Sequence, residues 1–355
     1  MGASFIAVHH IERFLAHKLV ASSPSILPRF YSTSTIITRR HTRHIQPLAT
    51  AMPYPKRLDQ ETVVKNLFND IDYIISDCDG VLWLEKNLIE GTPEFFNKMR
   101  SLGKKIVFAT NNNTKSRENL LTKLNNFGFN ANLNEIMGTS YSVALYLKNL
   151  PFTGKAFCLG NPTLCEELEK SGIKLVSQKN DENYIHEDRL EYDRIKIDPE
   201  VEAVIVGMDY HLNVVKMIKA CSYAKQVEPH LLIATNKDST FPAAGGLIVP
   251  GTGSYIELIE NVSGRKMISL GKPEKFFFDC IKRLHPEIDP SRSLMIGDRL
   301  DTDILFGHNN GIKYTLLVGT GVHSMSDVED CMKNGEDRLV PTHYLTNLSD
   351  LNQYF

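Results

Sequence analysis

The chain has 355 residues, 42 % of them hydrophobic, and a formal net charge of −2. That is enough apolar material for two compact domains, which sets aside a disordered chain. A charge so close to neutral gives no footing for a nucleic-acid groove or an acidic polymer, and a small charged metabolite fits better. No apolar run reaches the length of about 18–20 residues that a membrane span needs. The six cysteines, Cys78, Cys158, Cys165, Cys221, Cys280 and Cys331, show no CxxC spacing. They read as apolar residues of a protein in a reducing compartment, not as a disulfide framework or a zinc site.

In chain order, residues 1–51 stand apart. Glu12 is their single acid, against Arg13, Lys18, Arg29, Arg39, Arg40 and Arg43, among many Ser and Thr. This is the composition of a mitochondrial transit peptide, and Phe5 to Val20 suits an amphipathic helix. Met52, ahead of Pro-Tyr-Pro-Lys-Arg, is a second potential start, which would make the extension dispensable. The expected compartment is the cytoplasm, with the mitochondrion as the alternative if translation begins at Met1.

From Leu58 onward, short β-rich apolar runs alternate with helical periodicity, the mark of βα units around a parallel sheet. Tyr73-Ile74-Ile75-Ser76 ends in Asp77-Cys78-Asp79-Gly80, and Lys105 to Ala109 ends in Thr110-Asn111-Asn112-Asn113. Between these and the later strands lie residues with a βα pattern of their own. Ala203-Val204-Ile205-Val206 precedes Gly207-Met208-Asp209, and Leu231-Leu232-Ile233-Ala234 precedes Thr235-Asn236-Lys237-Asp238. The charged stretch Gln178 to Arg194 reads as a solvated loop. Near the C-terminus, Ser293 to Ile296 ends in Gly297-Asp298, and Thr315 to Val318 ends in Gly319-Thr320-Gly321. The expected fold is therefore α/β, a doubly wound parallel sheet with a large inserted α/β cap. Its expected parts are a core at 58–152 and 267–355 and a cap at 153–266.

In an open parallel sheet the ligand crevice lies at the carboxyl ends of the strands, so these tips should converge. Asp77-x-Asp79 alone is weak, because paired acids also occur in solvated turns and calcium sites. With Thr110, Lys272 in Gly-Lys-Pro and the acids of Asp298-Arg299-Leu300-Asp301-Thr302-Asp303, it becomes a set suited to phosphoryl transfer. A carboxylate reaches the phosphorus of a dianionic ester only where cations offset the repulsion. A divalent ion with oxygen ligands and a lysine supply that.

These residues resemble the four ordered motifs of the haloacid dehalogenase-like phosphatases from about Leu58 to the C-terminus. Asp-Cys-Asp-Gly-Val-Leu-Trp, Thr-Asn-Asn-Asn-Thr-Lys-Ser-Arg, Ala-Thr-Asn-Lys-Asp, Pro-Gly-Thr-Gly-Ser and Gly-Lys-Pro narrow the resemblance. They are similar to the eukaryotic p-nitrophenylphosphatase and phosphoglycolate phosphatase branch, which also holds pyridoxal phosphatase. The resemblance implies Asp77 as nucleophile and Mg2+ ligand, Asp79 as general acid and base with its backbone carbonyl on the metal, and Asp298 as a further metal ligand. It implies Thr110, Asn111, Asn112 and Lys272 as phosphate-binding groups and Asp303 as support for the metal site and Lys272. Asp301 is read as a helix cap, and Trp83 is expected to pack near the first loop. Phe241 stands where pyridoxal phosphatases carry a histidine and phosphoglycolate phosphatases a leucine, so it is expected to read the substrate.

The expectation is thus a magnesium-dependent phosphomonoesterase working through an aspartyl phosphate, with 2-phosphoglycolate first among small metabolites and p-nitrophenyl phosphate as an artificial substrate. Pyridoxal phosphatase or a protein phosphatase of the same fold is the enzymatic alternative, and a phosphoacceptor or scaffold the non-enzymatic one. The resemblance further implies a homodimer formed through the cap, while the charge balance and the lack of a long apolar run give the expectation of no nucleic acid or membrane as partner.

Overall fold

The computed structural model describes residues 53–178, 181, 190–241 and 247–355, the side chains of His230 and Phe241 excepted. The expectations for residues 1–51, for most of the loop 178–194 and for the Phe241 side chain therefore lie outside the described residues.

The first half of the core carries β1 (Lys56–Arg57), β2 (Tyr73–Ser76), a small hairpin of β3 (Trp83–Leu84) and β4 (Asn87–Leu88), β5 (Lys105–Thr110) and β6 (Ile136–Gly138). The inserted part carries β7 (Lys155–Leu159), β8 (Lys174–Leu175), β9 (Val201–Val206), β10 (Leu232–Ala234), a hairpin of β11 (Thr240–Phe241) and β12 (Val249–Pro250), and β13 (Ile268–Ser269). The chain then returns to the core with β14 (Ser293–Gly297), β15 (Tyr314–Val318) and β16 (His343–Leu345).

The core sheet has seven strands in the order β1-β16-β15-β14-β2-β5-β6, every neighbouring pair parallel. Parallel strands have helices over both faces, so they are apolar throughout and not alternating. All of β2 is buried, as is β14. One face packs Ile74, Ile106, Phe108, Leu294 and Leu316 against Phe68, Phe95 and Phe96. The other packs Ile75, Val107 and Met295 against Phe277, Phe278 and Phe306. β1 starts the core two residues before the expected boundary at Leu58, because Lys56 and Arg57 pair with β16 at the sheet edge.

The second sheet has five parallel strands in the order β13-β10-β9-β7-β8. Its last strand extends past the expected boundary at 266, since Ile268 and Ser269 pair with Ile233 and Ala234. The helix Thr139–Lys148 fastens the insertion to the core. Its residues Val143, Ala144 and Leu147 share one apolar cluster with Ala156, Leu164 and Ile205 of the insertion.

β2 lies between β14 and β5, so the chain leaves it in opposite directions within the sheet. That is a topological switch point, where strand tips diverge and leave a crevice. Among the described residues no helix is long and apolar enough to cross a membrane.

Candidate active site

Asp77 and Asp298 directly follow β2 and β14, Thr110 is the last residue of β5, and all three line one cleft. The fourth expected tip, after β15, closes on the same place. Val322 N–H donates to Asp298 Oδ2 at 2.8 Å, and Thr320 Oγ1 donates to the Gly80 carbonyl at 2.5 Å. Two glycines allow this approach. Gly80 has φ +88°, and a Cβ there would sit 2.4 Å from Asp298 Oδ2; at Gly321 the same atom would be 1.9 Å away.

Lys272 is fully buried and bridges two carboxylates. Its Nζ donates to Asp77 Oδ1 at 2.5 Å and to Asp303 Oδ1 at 2.7 Å. Burial alone would lower the ammonium's pKa, but Asp303 and Asp77 override it and hold Lys272 above the ordinary lysine value. Burial pushes the Asp77 carboxyl well up; Lys272 pulls it down, and Asp303 and Asp298 push it further up. Asp298 is pushed up to about 7, by burial first and then by Asp303. Three acids against one lysine leave a cluster with an excess of negative charge.

Asp77, Asp298 and Asp303 each offer an oxygen, all within 4.8 Å of one another. Asp298 Oδ1 is buried and has no hydrogen-bond partner. Such an atom costs about 1–3 kcal/mol unless something coordinates it. An all-oxygen set that becomes doubly negative with Lys272 once its three carboxyls are deprotonated, and that has an unpartnered carboxyl oxygen, fits a hard divalent cation such as Mg2+.

Asp79 lines the same cleft. Its Oδ1 accepts from Trp83 Nε1 at 2.9 Å and its Oδ2 from Asn112 Nδ2 at 3.3 Å. Thr110 Oγ1 accepts from the Asn112 N–H at 3.0 Å. Asn111 lines the cleft, and its side chain is occupied. Its Nδ2 donates to the Lys272 carbonyl at 3.1 Å and to Asp238 at 3.2 Å, and its Oδ1 accepts from the Lys272 N–H at 2.8 Å. The amide is thus committed to seating Lys272 and joining core to cap. Asp301 is not a helix cap: it is half exposed and pairs with Arg299 at 2.8 Å. Asp303 instead accepts from the Arg299 N–H at 3.1 Å where a π-turn, Leu300–Ile304, opens the helix.

The cap closes the cleft with the run after β10. Asn236 Nδ2 donates to the Asn111 carbonyl at 2.9 Å, and Gly253 N–H to the Asp238 carbonyl at 2.8 Å. The block Pro250 to Gly253 packs against this run, since a Cβ on Gly251 would lie 2.3 Å from that carbonyl. Asp238 faces the cleft, half-buried, its carboxyl pushed up to about 6 by burial against the pull of Arg299. It lies four residues past the end of β10. Residue-level reading passed over Asn113. Its buried amide accepts from Met208 N–H at 3.0 Å and Asn161 Nδ2 at 3.1 Å and donates to Thr235 Oγ1 at 2.9 Å. Cys78 is buried, and burial first, then Asp77 and Asp79, push its thiol well up, so it is a poor nucleophile.

Comparison with known proteins agrees with this geometry. Two family profiles match, a haloacid dehalogenase-like hydrolase over residues 74–174 and a HAD-hydrolase-like family over residues 269–351. Glycerol-3-phosphate phosphatase of Rattus norvegicus is 37 % identical over 302 residues, covering 81 % of this chain and 92 % of the relative. Chronophin of Rattus norvegicus is 33 % identical, covering 81 % of this chain and 89 % of the relative. Among solved structures, p-nitrophenyl phosphatase from Archaeoglobus fulgidus superposes with a TM-score of 0.67 at 29 % identity, covering 81 % of this chain and 100 % of its own. A parallel core sheet with aspartates at its switch point and homology over four-fifths of its length together make this chain a phosphatase of the haloacid dehalogenase-like hydrolases.

Proposed function

We propose that the protein is a magnesium-dependent phosphomonoesterase that forms an aspartyl phosphate on Asp77 and acts on small polyol phosphates. The observation that carries this reading is Lys272, buried between Asp77 and Asp303 beside the unpartnered Asp298 oxygen. Asp77 and Asp298, with the backbone carbonyl of Asp79, would hold Mg2+. When bound, the ion offsets the charge of the ester dianion and of the carboxylate that attacks it.

In the first step Asp77 attacks phosphorus while Asp79 gives a proton to the departing alkoxide. Lys272 faces the equatorial oxygens, where negative charge spreads. In the second step Asp79 takes a proton from water as that water attacks the phosphorus, and the Asp77 carboxylate leaves. Splitting hydrolysis in this way lets one carboxyl serve as acid and then as base.

Among substrates, the names of the glycerol-3-phosphate phosphatases favour glycerol 3-phosphate over the expected 2-phosphoglycolate. Asp238 supports the same order: an acid facing the cleft accepts hydrogen bonds from a polyol and repels a carboxylated leaving group. One kinetic experiment tests both parts. Glycerol 3-phosphate, 2-phosphoglycolate and pyridoxal phosphate are compared side by side, with wild type and Asp77→Asn, in the presence and absence of Mg2+. Glycerol 3-phosphate should give the highest kcat/KM, Asp77→Asn should be inactive yet folded, and acid-quenched wild type should carry one phosphoryl group on Asp77. Full activity in Asp77→Asn rejects the mechanism; preference for pyridoxal phosphate rejects the substrate.

A further inference from the structure

Trp83 is almost wholly buried, yet it is joined to the reacting side of the site and not only to the core. It opens the hairpin β3–β4, and the turn between Asp79 and Trp83 is closed by a bond from Gly80 N–H to the Trp83 carbonyl at 2.8 Å. Its indole is fixed from two sides. The Lys123 ammonium lies 3.6 Å from the ring centroid, and Phe127 packs at 6.0 Å. Lys123 is itself tied down by donation to the Glu85 carbonyl at 3.0 Å. The one polar atom of the indole points at Asp79 Oδ1, 2.9 Å away.

Hydrogen-bond inventory makes this contact selective. An indole N–H is a donor and can never accept. Asp79 Oδ1 meets it as an acceptor, and since an unprotonated carboxyl oxygen accepts better than a hydroxyl oxygen, the shorter indole bond favours a proton on Oδ2. There the partner is Asn112 Nδ2, at a longer 3.3 Å. That amide cannot turn to accept, because Asn112 Oδ1 already receives the Thr114 N–H at 2.9 Å and the Thr114 hydroxyl at 2.7 Å. A proton on Oδ2 thus weakens only the longer of the two bonds, and the shorter indole bond keeps the carboxyl's orientation.

We propose that Trp83 is the positioning residue for the general acid–base Asp79, and that it assigns proton transfer to Asp79 Oδ2. The inference rests on Asp79 acting as described under Proposed function. General acid catalysis depends on aim as much as on acidity, because the proton must lie within hydrogen-bond reach of the departing oxygen. Loss of the indole N–H frees Asp79 to rotate, and esters whose leaving group needs a proton suffer first.

The test compares kcat/KM on two esters of similar shape, p-nitrophenyl phosphate and phenyl phosphate. This constant covers the steps up to formation of the phosphoenzyme. Phenolate, with a conjugate acid near pKa 10 like tyrosine, needs protonation, and p-nitrophenolate, a much weaker base, does not. In Trp83→Phe, kcat/KM on phenyl phosphate should fall about tenfold while that on p-nitrophenyl phosphate changes less than about twofold, a fraction of the 10²–10⁴ that an aimed acid supplies. The ratio of the two constants cancels any unfolded fraction. Trp83 is also the one tryptophan of the chain, so biosynthetic replacement of tryptophan by benzothienylalanine removes this N–H alone from an isosteric ring. The same change in ratio is expected there.

Asp79→Asn serves as the reference. If it too lowers both constants equally, Asp79 is not the acid and the mechanism itself fails. If Asp79→Asn is selective for phenyl phosphate while both tryptophan replacements leave the ratio unchanged, the role of Trp83 is overturned.

Discussion

At the scale of single residues, Lys272 decides the most. It neutralises part of a cluster of three acids, and its neighbours keep it charged despite full burial. Lys272→Met preserves the length of the stem and removes the charge. Activity on p-nitrophenyl phosphate should fall about 10³-fold, roughly the 3–4 kcal/mol that one fixed donor to a developing charge is worth. Without Mg2+ the variant should also melt below wild type at pH 8, because breaking a buried ion pair leaves the remaining acids uncompensated. Kinetics and thermal melts of the two proteins check this, and unchanged activity would remove Lys272 from the chemistry. Much of this was legible beforehand. Asp77, Thr110 and Asp298 each end or follow an apolar run, and strand tips in a parallel sheet converge, while Lys272 was marked by its Gly-Lys-Pro motif. Asn111 shows the limit: its type suits phosphate, yet its amide is taken up by Lys272 and Asp238, residues 161 and 127 positions away.

At the scale of elements, the seam between core and cap is polar where it meets the cleft and apolar behind it. Asn113 follows β5 but bonds to Met208 and Asn161 of the cap and to Thr235 at the end of β10. Asn113→Ala strands the buried Met208 N–H, which costs about 1–3 kcal/mol. The expected outcome is a lower urea midpoint for the whole chain, with KM for substrate raised more than kcat is lowered because cap placement is loosened. A variant as stable as wild type, with unchanged KM, would show that the helix Thr139–Lys148 suffices as the joint. The strands themselves were readable from apolar runs: β2, β5, β9, β10, β14 and β15 all lie within a residue or two of expectation. β1 and β13 were not, since two-residue strands carry no periodicity and exist only through their partners.

For the molecule as a whole, charge at the site links stability, pH and metal. Asp298, at about 7, and Asp77, also raised, bind protons more tightly folded than unfolded, where carboxyls titrate near pKa 3.9. Their contribution in the metal-free protein is therefore full below about pH 4 and is lost as pH rises through about 7. His343, held down at about 4 by burial, acts oppositely, destabilising the fold as pH falls from about 6.5. A difference measurement separates the two. The rise in Tm on adding Mg2+ should be larger at pH 8 than at pH 5, because the ion meets deprotonated acids only at the higher pH. An equal rise at both pH values would exclude these carboxylates as its ligands.

The sequence by itself determined that Asp77, Thr110 and Asp298 share one crevice, because parallel topology carries strand tips to a common edge whatever lies between them. Its family motifs added Lys272, which follows a strand of the second sheet. Only the tertiary structure decided which of their neighbours touch the chemistry. Asp301 turned outward to Arg299, Asp238 came to the cleft from the cap, and Trp83 reached Asp79 from a hairpin. Hydrogen bonds have direction and reach about 3 Å, and no spacing along the chain records which way a side chain turns.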